Sequence, residues 1–441
     1  MTDQALPRPM SAGDVLRIPS FRRLWLGQLV SEAGDGLTNL TLLLLVNHLT
    51  GSTAAIAAMA ICLAIPPMTI GLFAGAYVDR ADRRRIMLAS DLLRAIVVLG
   101  FVFVGSSESL WLLFVLAFVQ SSVGTFFAPA RGAVIPKVVP PEGLLAANSV
   151  AQATRVIASV AGAGIAGLLI GVVGTFWPAF VLDSLSFLAS YVLILGLPAA
   201  VGRITSATDG APVDASSQPG IGASLRMGLS RVAHSRLLAT TILSLAVVML
   251  GLGAVNVLFV PLLVRILEVN PAWFGAVDLA QSISMILAAG MISAIAARIR
   301  PTAIITIGLV GVSVLIALTG AVTAIWQVLL LMFLVGWFVS PLQAAVVTIL
   351  QTGVVDEERG RVMSVLNAAM SSTTVLSMAF AGIAGEIVGV RTVFFLAGGI
   401  VAIGAAISLV GFRLTRSRPM ATSPRVPAVT AAPESGGSRA A

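Results

Sequence analysis

Long apolar runs, most of them near twenty residues, alternate with short polar breaks along almost the whole chain. The runs fall at roughly 22–48, 53–78, 86–105, 109–130, 144–171, 176–198, 237–264, 272–296, 302–321, 325–350, 359–386 and 391–413. Continuous runs of that length predict helices crossing about 30 Å of hydrocarbon. Strands of a membrane barrel would instead alternate apolar and polar residues over about ten positions. The breaks carry turn and charge signals: Gly51-Ser52, Ser106-Ser107-Glu108, Pro140-Pro141-Glu142, Asn270-Pro271 and Asp356-Glu357-Glu358. The pattern predicts an all-α membrane protein of twelve transmembrane helices.

The basic residues divide the breaks into two classes. Arg80, Arg83, Arg84, Arg85, Arg131, Lys137, Arg203, Arg226, Arg231, Arg236, Arg298, Arg300, Arg359 and Arg361 fall in one set of loops, and the alternate loops hold little beyond Arg265 and Arg391. Positive residues mark the cytoplasmic side, so both termini are expected there. The stretch 201–235, rich in Ser, Thr, Asp, Pro and Gly, separates two groups of six spans. It reads as a cytoplasmic linker with a short amphipathic helix at 221–235. The predicted organisation is a cytoplasmic segment 1–20, a six-helix bundle over 21–200, the linker, a second six-helix bundle over 236–413, and a disordered cytoplasmic tail 414–441. Weak echoes between the halves predict pseudo-symmetry. Pro129 to Asn148 and Pro341 to Asn367 each leave a span at a Pro and reach the next through acidic residues.

Composition supports a membrane chain: 58% of the 441 residues are hydrophobic and 10% charged, against about a quarter charged in soluble domains. The net charge of +8 does not imply nucleic acid, because the arginines are dispersed between apolar runs. Cys62 is the single cysteine, so no disulfide framework exists. The first run holds Glu32 and Asp35 and is too long for a cleaved signal, so it is expected to stay as a span. No phosphate loop, metal-ligand spacing or nucleophile elbow is present in the sequence. An enzyme, a bound cofactor and ATP as energy source are therefore not expected.

Ionisable residues within spans are costly and usually face a cavity. Asp35 and Glu32 share a helix face at i and i+3 and are candidates for proton or substrate binding; the plain alternative is pairing with Arg or capping a neighbouring helix. Asp91 and Arg94, also three apart, read as a structural ion pair with a link to Arg80–Arg85. Arg155 needs an anionic partner, for which Asp35, Asp91 or an anionic substrate could serve. Asp183 and Glu386 are read as outer-end charges and Asp278 as an N-terminal helix charge. Phe126, Phe127, Trp337 and Phe338 are candidates to line an apolar cavity. Gly162, Gly164, Gly167 and Gly171 form a small-residue stripe suited to close helix packing.

The densest charge in the chain is the loop Gly75-Ala-Tyr-Val-Asp79-Arg80-Ala-Asp82-Arg83-Arg84-Arg85. On chemistry alone it serves equally as a topogenic basic turn. Its spacing resembles the signature loop of the major facilitator superfamily, which latches two six-helix halves on the cytoplasmic side. The resemblance implies that role for Gly75, Asp79, Arg80, Arg83 and Arg84; Asp82 stands where the family usually has Gly. Further stretches resemble the multidrug and siderophore efflux branch, similar to macrolide and tetracycline pumps and the enterobactin exporter. They are Phe21 to Gln28, Gly34-Asp35-Gly36, Pro129 with Arg131 through Pro136, Asn148, Asp183 to Phe187, and Arg359-Gly360-Arg361 with Val362 and Met363. The glycine stripe resembles the family's antiporter motif, with Ala163 where a Pro is usual. The resemblance implies a monomeric proton-coupled exporter of small amphipathic compounds in a bacterial inner membrane, with the proton gradient in place of a cofactor. A dedicated exporter of a siderophore or self-made natural product, and a non-transporting receptor or scaffold, are the alternatives.

Overall fold

A computed structural model describes residues 10–202, 221–296, 298–354 and 356–416. Most of the 201–235 linker, the tail from 417 and the side chains of Arg359, Gly360 and Arg361 lie outside the described residues. Fifteen α-helices occur among the described residues. They are α1 (Ala12–Arg17), α2 (Pro19–Thr50), α3 (Thr53–Thr69), α4 (Gly71–Val78), α5 (Arg83–Gly100), α6 (Leu110–Val138), α7 (Leu144–Val173) and α8 (Trp177–Leu195). After the linker come α9 (Ile221–His234), α10 (Arg236–Pro261), α11 (Trp273–Ala296), α12 (Pro301–Thr319), α13 (Ile325–Gly353), α14 (Asp356–Ile387) and α15 (Val390–Arg416). Among the described residues, eleven helical stretches are long and apolar enough to cross a membrane; α3, at 17 residues, is a shorter apolar helix. Helix α9 occupies the stretch where the linker's apolar and basic residues predict an amphipathic helix.

Two expectations change. The run 53–78 is two helices, because Pro66 and Pro67 remove two backbone donors and the chain turns at Ile70 before α4. The carbonyl of Leu63, which would have met the missing N–H of residue 67, instead accepts from Ser121 Oγ of α6 at 2.8 Å. Pro129 and Pro341 do not end their helices. Both lie inside, in α6 and α13, and α6 runs on to Val138.

Helix α2 packs on α7 and α8, α5 on α6 and α8, and α3 and α4 on α6. In the second set α10 packs on α14 and α15, α11 on α13, and α12 on α13 and α15. The two sets meet chiefly through α3 against α14 and α7 against α11. Large side chains such as Phe103, Trp111, Val172, Trp326 and Ile387 stand exposed around the outside. Apolar exposure on this scale fits a lipid-facing surface.

Candidate functional site

Helix α2 carries the central charges, and glycines place them. A Cβ at Gly34 would collide with Asp183 Oδ1 and Ser186 Oγ of α8, and one at Gly36 would lie 2.6 Å from the Ser159 carbonyl oxygen of α7. Side chains at these positions would force the helices apart, so the glycines let α2 wedge between α7 and α8. Asp35, held between them, faces away from both contacts.

Asp35 Oδ2 accepts from Arg94 Nη1 at 3.1 Å, and Arg94 Nη2 donates to Asp91 Oδ1 at 2.7 Å. The other Asp91 oxygen accepts from Ser190 Oγ at 2.6 Å. The Arg94 guanidinium also lies over the Phe187 ring at 4.2 Å and near Phe127 at 5.1 Å. Phe127 is thus a wall for a cation within the bundle. Asp91 and Arg94 are ion-paired, yet their further link runs to Asp35 rather than to the Arg80–Arg85 loop. Asp183, fully buried, accepts from Thr38 Oγ1 at 2.5 Å and Ser186 Oγ at 3.1 Å. It belongs to this cluster and is not an outer-end charge.

Glu32 is turned to a different set of partners although it is one turn from Asp35. Its Oε1 accepts from Arg131 Nη1 at 2.8 Å, with Arg155 Nε 3.8 Å away. The partner of Arg155 is therefore Glu32, a residue outside the set Asp35, Asp91 or substrate. Gln28 joins the group, donating to Glu32 at 3.1 Å and to the Ala151 carbonyl at 3.2 Å. Trp25 Nε1 donates to Thr154 Oγ1 at 2.7 Å, so α2 and α7 are tied along two turns.

A cavity of about 880 Å3 lies beside these charges, lined by Asp35, Asn39, Arg94, Gln120, Pro129 and Asn256 among others. A second, of about 410 Å3, shares Asn39, Leu43 and Asn256 with it and extends between α2, α7, α10 and α11. Residues of both helix sets line each one. Phe259 and Phe274 are the aromatic rings on the second cavity. Trp337 and Phe338 line neither, and Phe126 stacks edge-on against Tyr77 on the far side of α6.

The sequence matches the transmembrane secretion effector family over residues 10–433. The chain belongs to this family. It is a multi-pass membrane transporter of the major facilitator superfamily. It is 28% identical over 435 residues to the multidrug efflux pump Tap of Mycobacterium tuberculosis, covering 93% of this chain and 96% of the relative. It is 26% identical over 404 residues to the uncharacterised transporter YfiS of Bacillus subtilis, covering 89% and 93%. Macrolide efflux protein A of Streptococcus pyogenes is 29% identical over 154 residues, 34% of this chain and 38% of that one. Among solved structures, the nucleoside transporter NupG superposes with a TM-score of 0.74 at 13% identity, covering 89% of this chain and all of the other.

In this transporter the two helix sets are joined at one end. Glu386 of α14 accepts from Ser52 Oγ at 2.6 Å and from the Ala54 N–H at 3.3 Å, so it caps α3 from the other set. Thr53 Oγ1 donates to the Gly382 carbonyl at 2.8 Å, and Arg265 donates to the Gly51 carbonyl. The glycine stripe divides between two neighbours. A Cβ at Gly162 would strike the Ala33 carbonyl of α2, whereas Gly164, Gly167 and Gly171 face Gly275, Pro271 and Asn270 at the start of α11. The signature loop lies at the opposite ends of the helices. There Asp82 caps α5 through the Arg85 N–H at 3.0 Å, which is what the Asp in place of Gly does. Arg84 donates to the Ile194 and Leu195 carbonyls of α8 at 3.3 and 2.7 Å, and Arg83 is buried. Gly75 has open space around it, and Asp79 and Arg80 are exposed.

Asp278, expected as an N-terminal helix charge, is on the second turn of α11 and lines the 410 Å3 cavity. The signal available was its phase: Phe274, Val277, Asp278 and Gln281 lie on one helix face, and all four line that cavity.

Proposed function

We propose that the chain is a proton-coupled exporter of small amphipathic compounds, antibiotics among them, working as a monomer by alternating access. On this reading α3 and α4 together form the second span. Residues 21–200 and 236–413 are then two six-helix halves of twelve spans, with both termini in the cytoplasm of a bacterial cell. The observation that carries the proposal is the position of Asp35, which lines the cavity between the two helix sets while it holds Arg94. A carboxylate that faces both water and an internal cation can exchange a proton and change the pairing inside the bundle at once. Asp35 and Asp91 share the Arg94 guanidinium, two carboxylates to one cation, so proton uptake by one of them balances the pair. Proton and cargo then act by their different affinities for the two states of the halves.

The halves are clasped at the end away from the Arg-rich loops, which supports reading this as the inward-facing state. The signature loop is then disengaged; Asp79 and Arg80, exposed here, close on the second half in the outward-facing state. Cofactors have no role, and the proton gradient supplies the energy. The siderophore alternative draws less support, because the cations near the cavity are taken: Arg94 by two carboxylates, Arg131 and Arg155 by Glu32.

The test is uptake into inverted vesicles with an imposed proton gradient and a panel of macrolide, tetracycline, aminoglycoside and siderophore compounds. Uptake should collapse with a protonophore and lose its pH dependence in Asp35→Asn. Uptake that survives the protonophore removes proton coupling, and an unchanged pH profile in Asp35→Asn removes Asp35 as the site.

A further inference from the structure

We infer that Asp278 anchors a monovalent organic cation in the 410 Å3 cavity, and so sets the charge of the cargo. The inference rests on the exporter reading above and deepens it.

Among the described residues, Asp278 is the single charged one on that cavity, and no Arg, Lys or His lines it. Among the described residues it has neither a hydrogen-bond nor an ion-pair partner. The contrast with the other cavity-facing acid is direct, since Asp35 is already paired with Arg94. An ionised carboxylate facing apolar walls is costly without a counter-charge. A cationic ligand supplies one, and an anionic ligand raises the cost.

The rest of the wall suits an ammonium or guanidinium group on an apolar body. Gln281 stands one turn along from Asp278, and Asn39 and Asn256 complete a group of amides whose carbonyl oxygens accept N–H donors. Phe259 and Phe274 form an edge-to-face pair with centroids 6.2 Å apart. Ring faces attract cations, and the rings also take up apolar area. The volume lies within the range of about 300–1,000 Å3 that small-molecule sites occupy. A bare proton would use neither the rings nor the amides, so the site is larger than proton binding requires.

The test is ligand binding to the purified full-length protein in lipid nanodiscs, at fixed pH and without a gradient. Ethidium serves as a permanently charged probe and Nile red as a neutral one. Asp278→Asn, which keeps the shape of the side chain, should weaken ethidium about tenfold or more and leave Nile red little changed. Asp278→Glu should retain most of the ethidium affinity. Equal ethidium binding by Asp278→Asn and the parent overturns the inference. A parallel loss of both probes also overturns it, because that pattern marks a structural role. The exporter reading fails separately: charge-selective binding without gradient-driven uptake removes that reading and leaves the cation site intact. Gradient-driven uptake with unchanged binding does the reverse.

Discussion

Glu386→Ala should loosen the joint between the two helix sets without unfolding either. In the parent, Glu386 reaches across from α14 to hold Ser52 Oγ and the Ala54 N–H, and so caps the first turn of α3. Loss of a helix cap costs about 0.5–2 kcal/mol. This one is exposed to solvent, which places it near the middle, at about 1 kcal/mol. The contact exists only while α3 and α14 are together, so its whole value biases that state. About 1 kcal/mol corresponds to about a fivefold shift toward separation. Arg265→Ala removes a second hold on the same loop, at the Gly51 carbonyl. Because the two grips share the loop, they should not add fully. The double variant is expected between about fivefold and thirtyfold. Spin labels on His48→Cys and Ile387→Cys, in a Cys62→Ala background, report the separation by pulsed electron resonance. A growing long-distance population in the order parent, single, double is expected. If the double variant keeps the parent distribution, these polar contacts do not hold the halves together.

Two further variants read the packing of the first set. Gly162→Ala places a methyl against the Ala33 carbonyl and should destabilise by about 1–3 kcal/mol, whereas Gly132→Ala enters open space and should stabilise by up to about 1 kcal/mol; melting curves of the two purified variants should move in opposite directions. Arg94→Gln strips the cation from buried Asp91 and should cost about 3–5 kcal/mol. Adding Asp91→Asn should recover part of that melting temperature, and no recovery would mean that the guanidinium acts through its ring contacts alone.

Much of the fold could be read from run length, because a span needs little more than about twenty apolar residues in register with hydrocarbon. Internal joints could not. Pro66 and Pro67 look like ordinary members of an apolar run, and the break they cause depends on whether another helix takes up the freed carbonyl, as Ser121 does. The site was legible to the level of residue type. Glu32 and Asp35 were visible as costly charges, but sharing a helix face did not give them a shared environment; neighbouring helices present Arg131 to one and Arg94 to the other. The glycine stripe announced close packing, yet its division between α2 and α11 is a property of the tertiary arrangement. Asp278 lies close to the start of its run, which suggests a helix-end charge, whereas its phase with Phe274, Val277 and Gln281 is what turns it to the cavity.

Gly275 and Asp278 stand one turn apart on α11, about 4.5 Å along the axis. At Gly275 the backbone rests on that of Gly164, with the nearest Gly164 atom 2.5 Å from where a Cβ would be. A side chain at Gly275 would wedge the two backbones apart and carry Asp278 with it. The smallest residues of the seam thus set the distance across the cavity at which its carboxylate stands.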